Sequence, residues 1–350
     1  MGFFRKLFRR GSNDEAAQTA LIDQPGPAVA EEAESPPNAA DVPTEPLDTP
    51  PLIESAAGAA VFGATNMLGT QQLATAPLVA SLQSTRGLAV WSARDLGRVR
   101  RSNQDSVFSM LLSLPDGEHD HPVGLFVVAD GMGGHEGGEV ASRRAIETVM
   151  VTVLEQLALP AMADEDPGNA LPVLMVSAIQ EANARIWKEA QERGTDMGTT
   201  CTAVLMVGEG LYIAHVGDSR AYLATAAGLR PITTDHSTVG RLIEMGQITL
   251  DDSRTHPLRN QLYRTVGQHP DVQVDSIYQP LEGVSHLLIC SDGLWGMVDD
   301  DELAAIIAES PWPQDACQRL IARANLAGGE DNISAVVVSF PANAHAGGVQ

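Results

Sequence analysis

Cysteine and basic charge are both scarce in this chain. Its 350 residues hold three cysteines, and 22 Lys and Arg stand against 45 Asp and Glu, a formal net charge of -23. Cys201, Cys290 and Cys317 are odd in number and fit no zinc-ligand spacing, so neither a disulfide framework nor a zinc site is expected. Cys201 and Cys290 sit in apolar runs and read as buried free thiols, and no thiol-based phosphate loop is expected. The acidic balance disfavours nucleic acid, whose binders neutralise phosphates with Lys and Arg. No stretch reads as the roughly 20 apolar residues that cross a bilayer. No long apolar run follows the mixed charges of MGFFRKLFRR, so no secretory signal is expected. A cytoplasmic protein is the expectation.

Composition divides the chain. In residues 1–10, Phe3, Phe4, Leu7 and Phe8 fall on one helical face and Arg5, Lys6, Arg9 and Arg10 on the other. That is a short basic amphipathic segment, suited to peripheral contact with the inner face of an anionic membrane or with a protein, or else an unstructured start. Lys6 breaks the pattern of a myristoylation signal. Residues 11–80 carry ten Asp and Glu, no Lys or Arg, and eight prolines between Pro25 and Pro51, the composition of a disordered tether. A folded domain is expected over 81–341, with a disordered tail at 342–350. Within it, apolar β-branched runs such as LFVVAD, TTCTAVLMV, SHLLICSD and ISAVVVSF read as strands. Helical periodicity appears near 138–159, 171–192, 301–308 and 315–327. Groups of strands with helices between them predict an α+β domain of layered α/β/β/α type.

Four carboxylates each stand where an apolar run meets a turn: Asp130, Asp218, Asp292 and Asp331. Asp is short and tolerated in turns, so such residues bring hard oxygen ligands to one edge of a β-structure. Oxygen ligation completed by water suits Mg²⁺ or Mn²⁺ rather than zinc. Glycines after Asp130 and Asp292 allow close backbone approach and a carbonyl ligand. Arg98, Arg100 and Arg101 add groups that meet phosphate bidentately, or else form a plain basic surface patch.

These residues occur in ordered motifs: Arg100 with Asn103-Gln104-Asp105, Asp130-Gly131-Met132-Gly133-Gly134-His135, Met197-Gly198-Thr199-Thr200, Gly217-Asp218-Ser219-Arg220, Ser291-Asp292-Gly293 and Asp331-Asn332. Taken in this order, the chain from about 87 to 340 resembles the PP2C-type, metal-dependent serine/threonine protein phosphatases, most closely their bacterial branch. The resemblance implies a sandwich of two mainly antiparallel sheets flanked by helices, with a two-metal site at one end. It implies that Asp130 bridges two Mn²⁺ or Mg²⁺ ions, that Gly131 offers its carbonyl, and that Asp292 and Asp331 complete the shell. Gln104 would act through a water, Asp105 would support the shell, Asp218 would serve a weaker third ion, and Arg100 would hold the substrate phosphate.

Two departures from the family pattern bear on chemistry. Met132 stands where animal members have a histidine proposed as general acid, and it has no proton to give; His135 is a nearby candidate. Gln104 stands where Glu is common, and a neutral amide attracts a cation less strongly. Residues 234–266 fall where the family has a flap beside the cleft. Their His236, Arg241, His256, Arg259 and Arg264 suggest either recruitment of phosphopeptides or a solvated insertion. The implied activity is hydrolysis of phosphoserine and phosphothreonine in proteins, opposing a Ser/Thr kinase that is itself a candidate substrate along with its targets. The alternative is a catalytically weak pseudophosphatase that binds phosphoproteins or is recruited to a membrane as a regulatory module.

Overall fold

Strands buried on both faces read as unbroken apolar runs rather than alternating ones. Four segments of this chain are built so: Leu125–Ala129, Cys201–Val207, Leu287–Cys290 and Ile333–Val338 are buried throughout. The computed structural model describes residues 83–85, 87–116, 119–134, 137–163, 170–249, 252 and 256–341. The expected segments 1–10, 11–80 and 342–350, and the candidate His135, lie outside them.

Two antiparallel sheets form. The first runs β1 (Gln83–Thr85), β2 (Leu88–Asp95), β12 (Ile333–Ser339), β11 (Val284–Cys290), β8 (Arg220–Thr225), β9 (Gly228–Pro231). The second runs β10 (Asp275–Pro280), β7 (Gly210–Val216), β6 (Cys201–Val207), β4 (His119–Met132), β3 (Asp105–Asp116), with β5 (Gly198–Thr199) paired to the end of β4.

Alternation along the central strands sends successive side chains into different apolar layers. Phe126 and Val128 meet Leu287, Ile289, Val336 and Val338 between the sheets. Leu125, Val127 and Ala129 face α1 (Gly137–Val153) and α2 (Leu171–Arg193). Leu288, Cys290 and Val337 pack with residues of α5 (Asp300–Glu309) and α6 (Pro313–Leu326). The short helices α3 (Thr238–Glu244) and α4 (Asp292–Trp295) lie beside the site. Three apolar layers separating helices, sheet, sheet and helices are the expected four-layer α/β/β/α sandwich.

The stripe Ala141, Ala145, Val149, Val153, Leu157 is buried as its spacing predicts. Helix α1 continues through a π-helical turn (Leu154–Ala158) to Met162. Over 137–162 it is long and apolar enough to cross a bilayer, contrary to expectation. Its buried face packs on the second sheet, which makes it a core helix of the sandwich. The short strands β1, β5, β9 and β10 carry too little apolar pattern to be read from sequence. In β10, for example, half-buried and exposed residues alternate at a sheet edge, and it ends on Pro280.

Candidate metal centre

The registers bring the motif residues to one end of the sandwich. In the second sheet Asp105 pairs with Asp130, and in the first Cys290, just before Ser291-Asp292, pairs with both Ala335 and Arg220. The loops leaving these ends surround a cleft of about 670 Å³ lined by Arg100, Asp218, Asp292 and Asp331 among others. Asp130 lies within β4, which continues to Met132, rather than at a strand end as its sequence setting suggests. Asp292 opens α4, Asp218 follows β7, and Asp331 precedes β12.

Backbone anchors set each carboxylate. The Asp130 N–H donates to Thr200 Oγ1 at 2.9 Å, and its carbonyl accepts from the Thr200 N–H and the Thr199 hydroxyl, both at 2.8 Å. This gives the Met-Gly-Thr-Thr motif a physical role that its residue types alone do not announce. Thr200 Oγ1 also meets Ser219 Oγ at 2.7 Å, beside Asp218. The Asn332 side chain accepts from the Gln104 N–H at 2.8 Å and donates to the carbonyls of Leu96 and Ser102, pinning the loop that carries Arg100. Trp295 Nε1 donates to the Asp218 carbonyl at 2.9 Å. A Cβ on Gly131 would lie 2.0 Å from the Gly138 carbonyl oxygen, so only glycine fits there.

The electrostatics are lopsided. Asp130 is pushed well above the usual carboxylate range by burial and then by the charges of Asp105, Asp292, Asp218 and Asp331. Burial, and then Asp292, does the same to Asp218. Asp292 rises to about 6 through burial and the charge of Asp331. Asp105 rises to about 7 through burial, although Ser291 donates to its Oδ2 at 2.8 Å. Asp105 Oδ1 and Asp292 Oδ1 are buried without a hydrogen-bond partner. Divalent cations suit such a donor set: hard, acidic, partly unsatisfied and all oxygen. Among the described residues no three His, Cys, Asp or Glu side chains stand so placed that they could hold a metal ion by themselves, so an ion bound here would need backbone oxygen or water in its shell.

Arg100 pairs with Asp331 at 2.5 Å on the rim, its side chain half exposed. Gln104 Nε2 donates to the Gly133 carbonyl at 3.2 Å. The flap does flank the cleft, through Val239, Ile243, Arg259 and Asn260. Two of its basic residues are engaged within the fold: His236 is buried, and Arg264 pairs with Asp275 at 2.6 Å. Cys317 and Arg323 stand six apart, the spacing of a thiol phosphate loop. Both lie in helix α6, with the Cys317 thiol buried against the Trp91 carbonyl and Arg323 paired with Glu302, so no such loop forms.

A sequence model described as protein phosphatase 2C matches residues 100–327. The chain belongs to the protein phosphatase 2C family, whose members here are serine/threonine phosphatases. It is 36% identical over 248 residues to the serine/threonine phosphatase stp of Listeria monocytogenes, covering 70% of this chain and 92% of that one. It is 33% identical over 245 residues to PstP of Mycobacterium tuberculosis, covering 69% and 43%. The crystal structure of the Mycobacterium tuberculosis PstP/Ppp phosphatase superposes with a TM-score of 0.61 at 32% identity, covering 73% of this chain and 99% of that one. A PstP catalytic domain solved with two manganese ions gives 0.58 at 30% identity, covering 72% and 97%. The chain is thus a metal-dependent phosphatase of phosphoserine and phosphothreonine, and nothing favours the pseudophosphatase alternative.

Proposed function

We propose that this PP2C-family chain works through the carboxylate cleft. Asp130, the Gly131 carbonyl, Asp292 and Asp331 would hold two divalent cations, Mn²⁺ or Mg²⁺, and Asp218 a weaker third. The observation that carries this reading is one cleft gathering Asp218, Asp292 and Asp331, with Asp130 close enough behind it to feel all three charges, Asp292 Oδ1 buried and unpartnered, and the Arg100 guanidinium at the rim. Bound there, such cations make hydroxide available from water near neutral pH and draw charge from phosphoryl oxygens.

The chain's own groups bind and orient. Arg100 offers a fork of five donors, of which one N–H reaches Asp331, so others can meet the phosphoryl oxygens of a substrate. Gln104 presents an amide oxygen to a water. Asp105, fixed by Ser291 behind the cluster, supports the shell without reaching substrate. Met132 has no proton for the leaving alcohol. On the flap, Val239 and Ile243 give the cleft an apolar wall, suited to side chains flanking a phosphorylated residue in an extended peptide.

The substrates on this reading are phosphoproteins, a Ser/Thr kinase or its targets among them. Residues 81–341 form the phosphatase domain. Residues 1–10, joined through the 11–80 tether, hold it near an anionic membrane surface or a protein partner.

Calorimetric titration of the full chain with Mn²⁺ tests the ligand assignment. Two tight sites are expected, with at least about tenfold weaker binding in Asp130→Ala and Asp292→Ala. Unchanged Mn²⁺ binding in both variants would sink it.

A further inference from the structure

Behind Asp218 lies a second group of ionisable side chains that the proposed reaction does not use. The Gly217 N–H donates to His236 Nδ1 at 3.0 Å, and the His236 N–H donates to the Gly217 carbonyl at 2.7 Å. One residue therefore grips Gly217 from both sides. The grip matters because Gly217 has φ +112, and a Cβ there would lie 2.5 Å from Thr200 Cβ. Only glycine fits, and glycine has the freest backbone of any residue, so the turn needs an external clamp.

The same histidine joins both arms of the flap. Its own carbonyl accepts from the Tyr263 N–H at 3.0 Å on the returning arm, while Ser237, next in sequence, caps α3 on the outgoing arm. The arms are further tied by Thr238 N–H to the Gln261 carbonyl at 2.8 Å. His236 Nε2 stands 3.1 Å from Asp275 Oδ2 on edge strand β10 and 2.8 Å from Arg264 Nη1. Arg264 from the returning arm holds the other Asp275 oxygen at 2.6 Å. The ring stacks on His215 at 4.9 Å. His215 is itself locked between the Thr202 hydroxyl and the Thr234 carbonyl.

We propose that His236 is a positioning residue that ties both flap arms to the Gly217–Asp218 turn, so that flap posture and Asp218 placement change together. This deepens the proposed function by joining peptide recognition to the weakest cation position. It rests on that reading only for its kinetic consequence.

Amide hydrogen exchange on the full chain, without added metal, tests the coupling whether or not the catalytic reading holds. The variants are Asp275→Asn, which lies outside the cleft lining and weakens the far anchor of His236 together with the Arg264 ion pair, His236→Ala, and His236→Asn, whose amide oxygen can replace Nδ1. Exchange over 215–220 and over 234–266 is expected to rise together, roughly fivefold for the loss of one net hydrogen bond, in Asp275→Asn and in His236→Ala. His236→Asn should restore protection at 215–220 relative to His236→Ala. With a phosphothreonine peptide, KM and the half-saturating Mn²⁺ concentration should rise together in Asp275→Asn. A purely structural role would lower the melting temperature and leave both constants in place. The proposal is overturned if Asp275→Asn loosens one segment without the other, or neither. If His236→Ala does not fold, Asp275→Asn still decides.

Discussion

The carboxylate cleft and the base of the flap hold similar chemical groups in opposite arrangements. At the carboxylate cluster, burial and mutual repulsion drive Asp130, Asp218 and Asp292 upward, against the partial relief of Arg100 at Asp292 and Arg220 at Asp218. Around the flap base Arg220 and Asp235 are mated, as are Arg264 and Asp275. Arg220 forks onto Asp235 at 2.9 and 2.7 Å and stacks 3.5 Å over Trp295, and Arg264 and His236 share Asp275, which is thereby lowered to about 2. A cluster left unbalanced by its own chain is poised for an outside charge, whereas a balanced cluster is scaffold. Both sit at one end of the molecule, and the difference separates the groups that act from those that hold them.

The sharpest way to break this contrast is to remove a carboxylate from each side. Asp292→Ala should lower phosphate release at least about 10³-fold, since metal catalysis supplies several kcal/mol, while the protein stays folded. Steady-state kinetics together with a circular dichroism melt reads both halves of that statement. Asp235→Ala should do the reverse to stability. It leaves Arg220 buried without its partner and should cost about 3–5 kcal/mol in denaturant unfolding. Equal stability losses in the two variants would erase the distinction.

The contrast also has a pH signature. Burial and repulsion hold Asp292 at about 6 and Asp105 at about 7 in the folded chain, above the value of about 4 in an unfolded one. A carboxyl raised on folding stabilises the fold fully below its unfolded pKa, and that contribution is lost as pH rises through the folded value. In EDTA, wild type should therefore lose stability relative to Asp292→Asn between about pH 4 and pH 7. Calorimetric melts that run parallel across that window would contradict the repulsion in the cleft.

Smaller effects sharpen the picture. Arg100→Ala removes a rim group, so it should cut kcat/KM about 10–100-fold and change stability by less than about 1 kcal/mol. The smallest effect concerns the thiols. Burial raises Cys201 and Cys317 to about 12 and Cys290 further, so native protein should resist iodoacetamide and keep full activity after exposure to it.

Much of this was legible in the sequence for identifiable reasons. Central strands such as Cys201–Val207 are buried on both faces and announce themselves as apolar runs. The acidic ligand candidates are short residues beside turns, and the registers bring them together as their motifs imply. Edge strands β9 and β10 were not legible, because edges carry polar residues and prolines that blunt pairing. Nor was the orientation of the flap's cations. His236 and Arg264 read as a basic surface, but only the fold reveals Asp275, on a distant strand, as their partner. Thr200 and Asn332 belonged to recognisable motifs, yet their roles lie in backbone contacts 70 and 228 residues away along the chain, to Asp130 and Gln104, which no local pattern encodes.

The most direct test of the account is phosphate release from a phosphothreonine peptide by the purified full chain with Mn²⁺, with Mg²⁺ and with EDTA. The account predicts release with a divalent cation, none with EDTA, and almost none from Asp130→Ala in any condition. Release that persists in EDTA, or an Asp130→Ala variant with near-normal turnover, would contradict it.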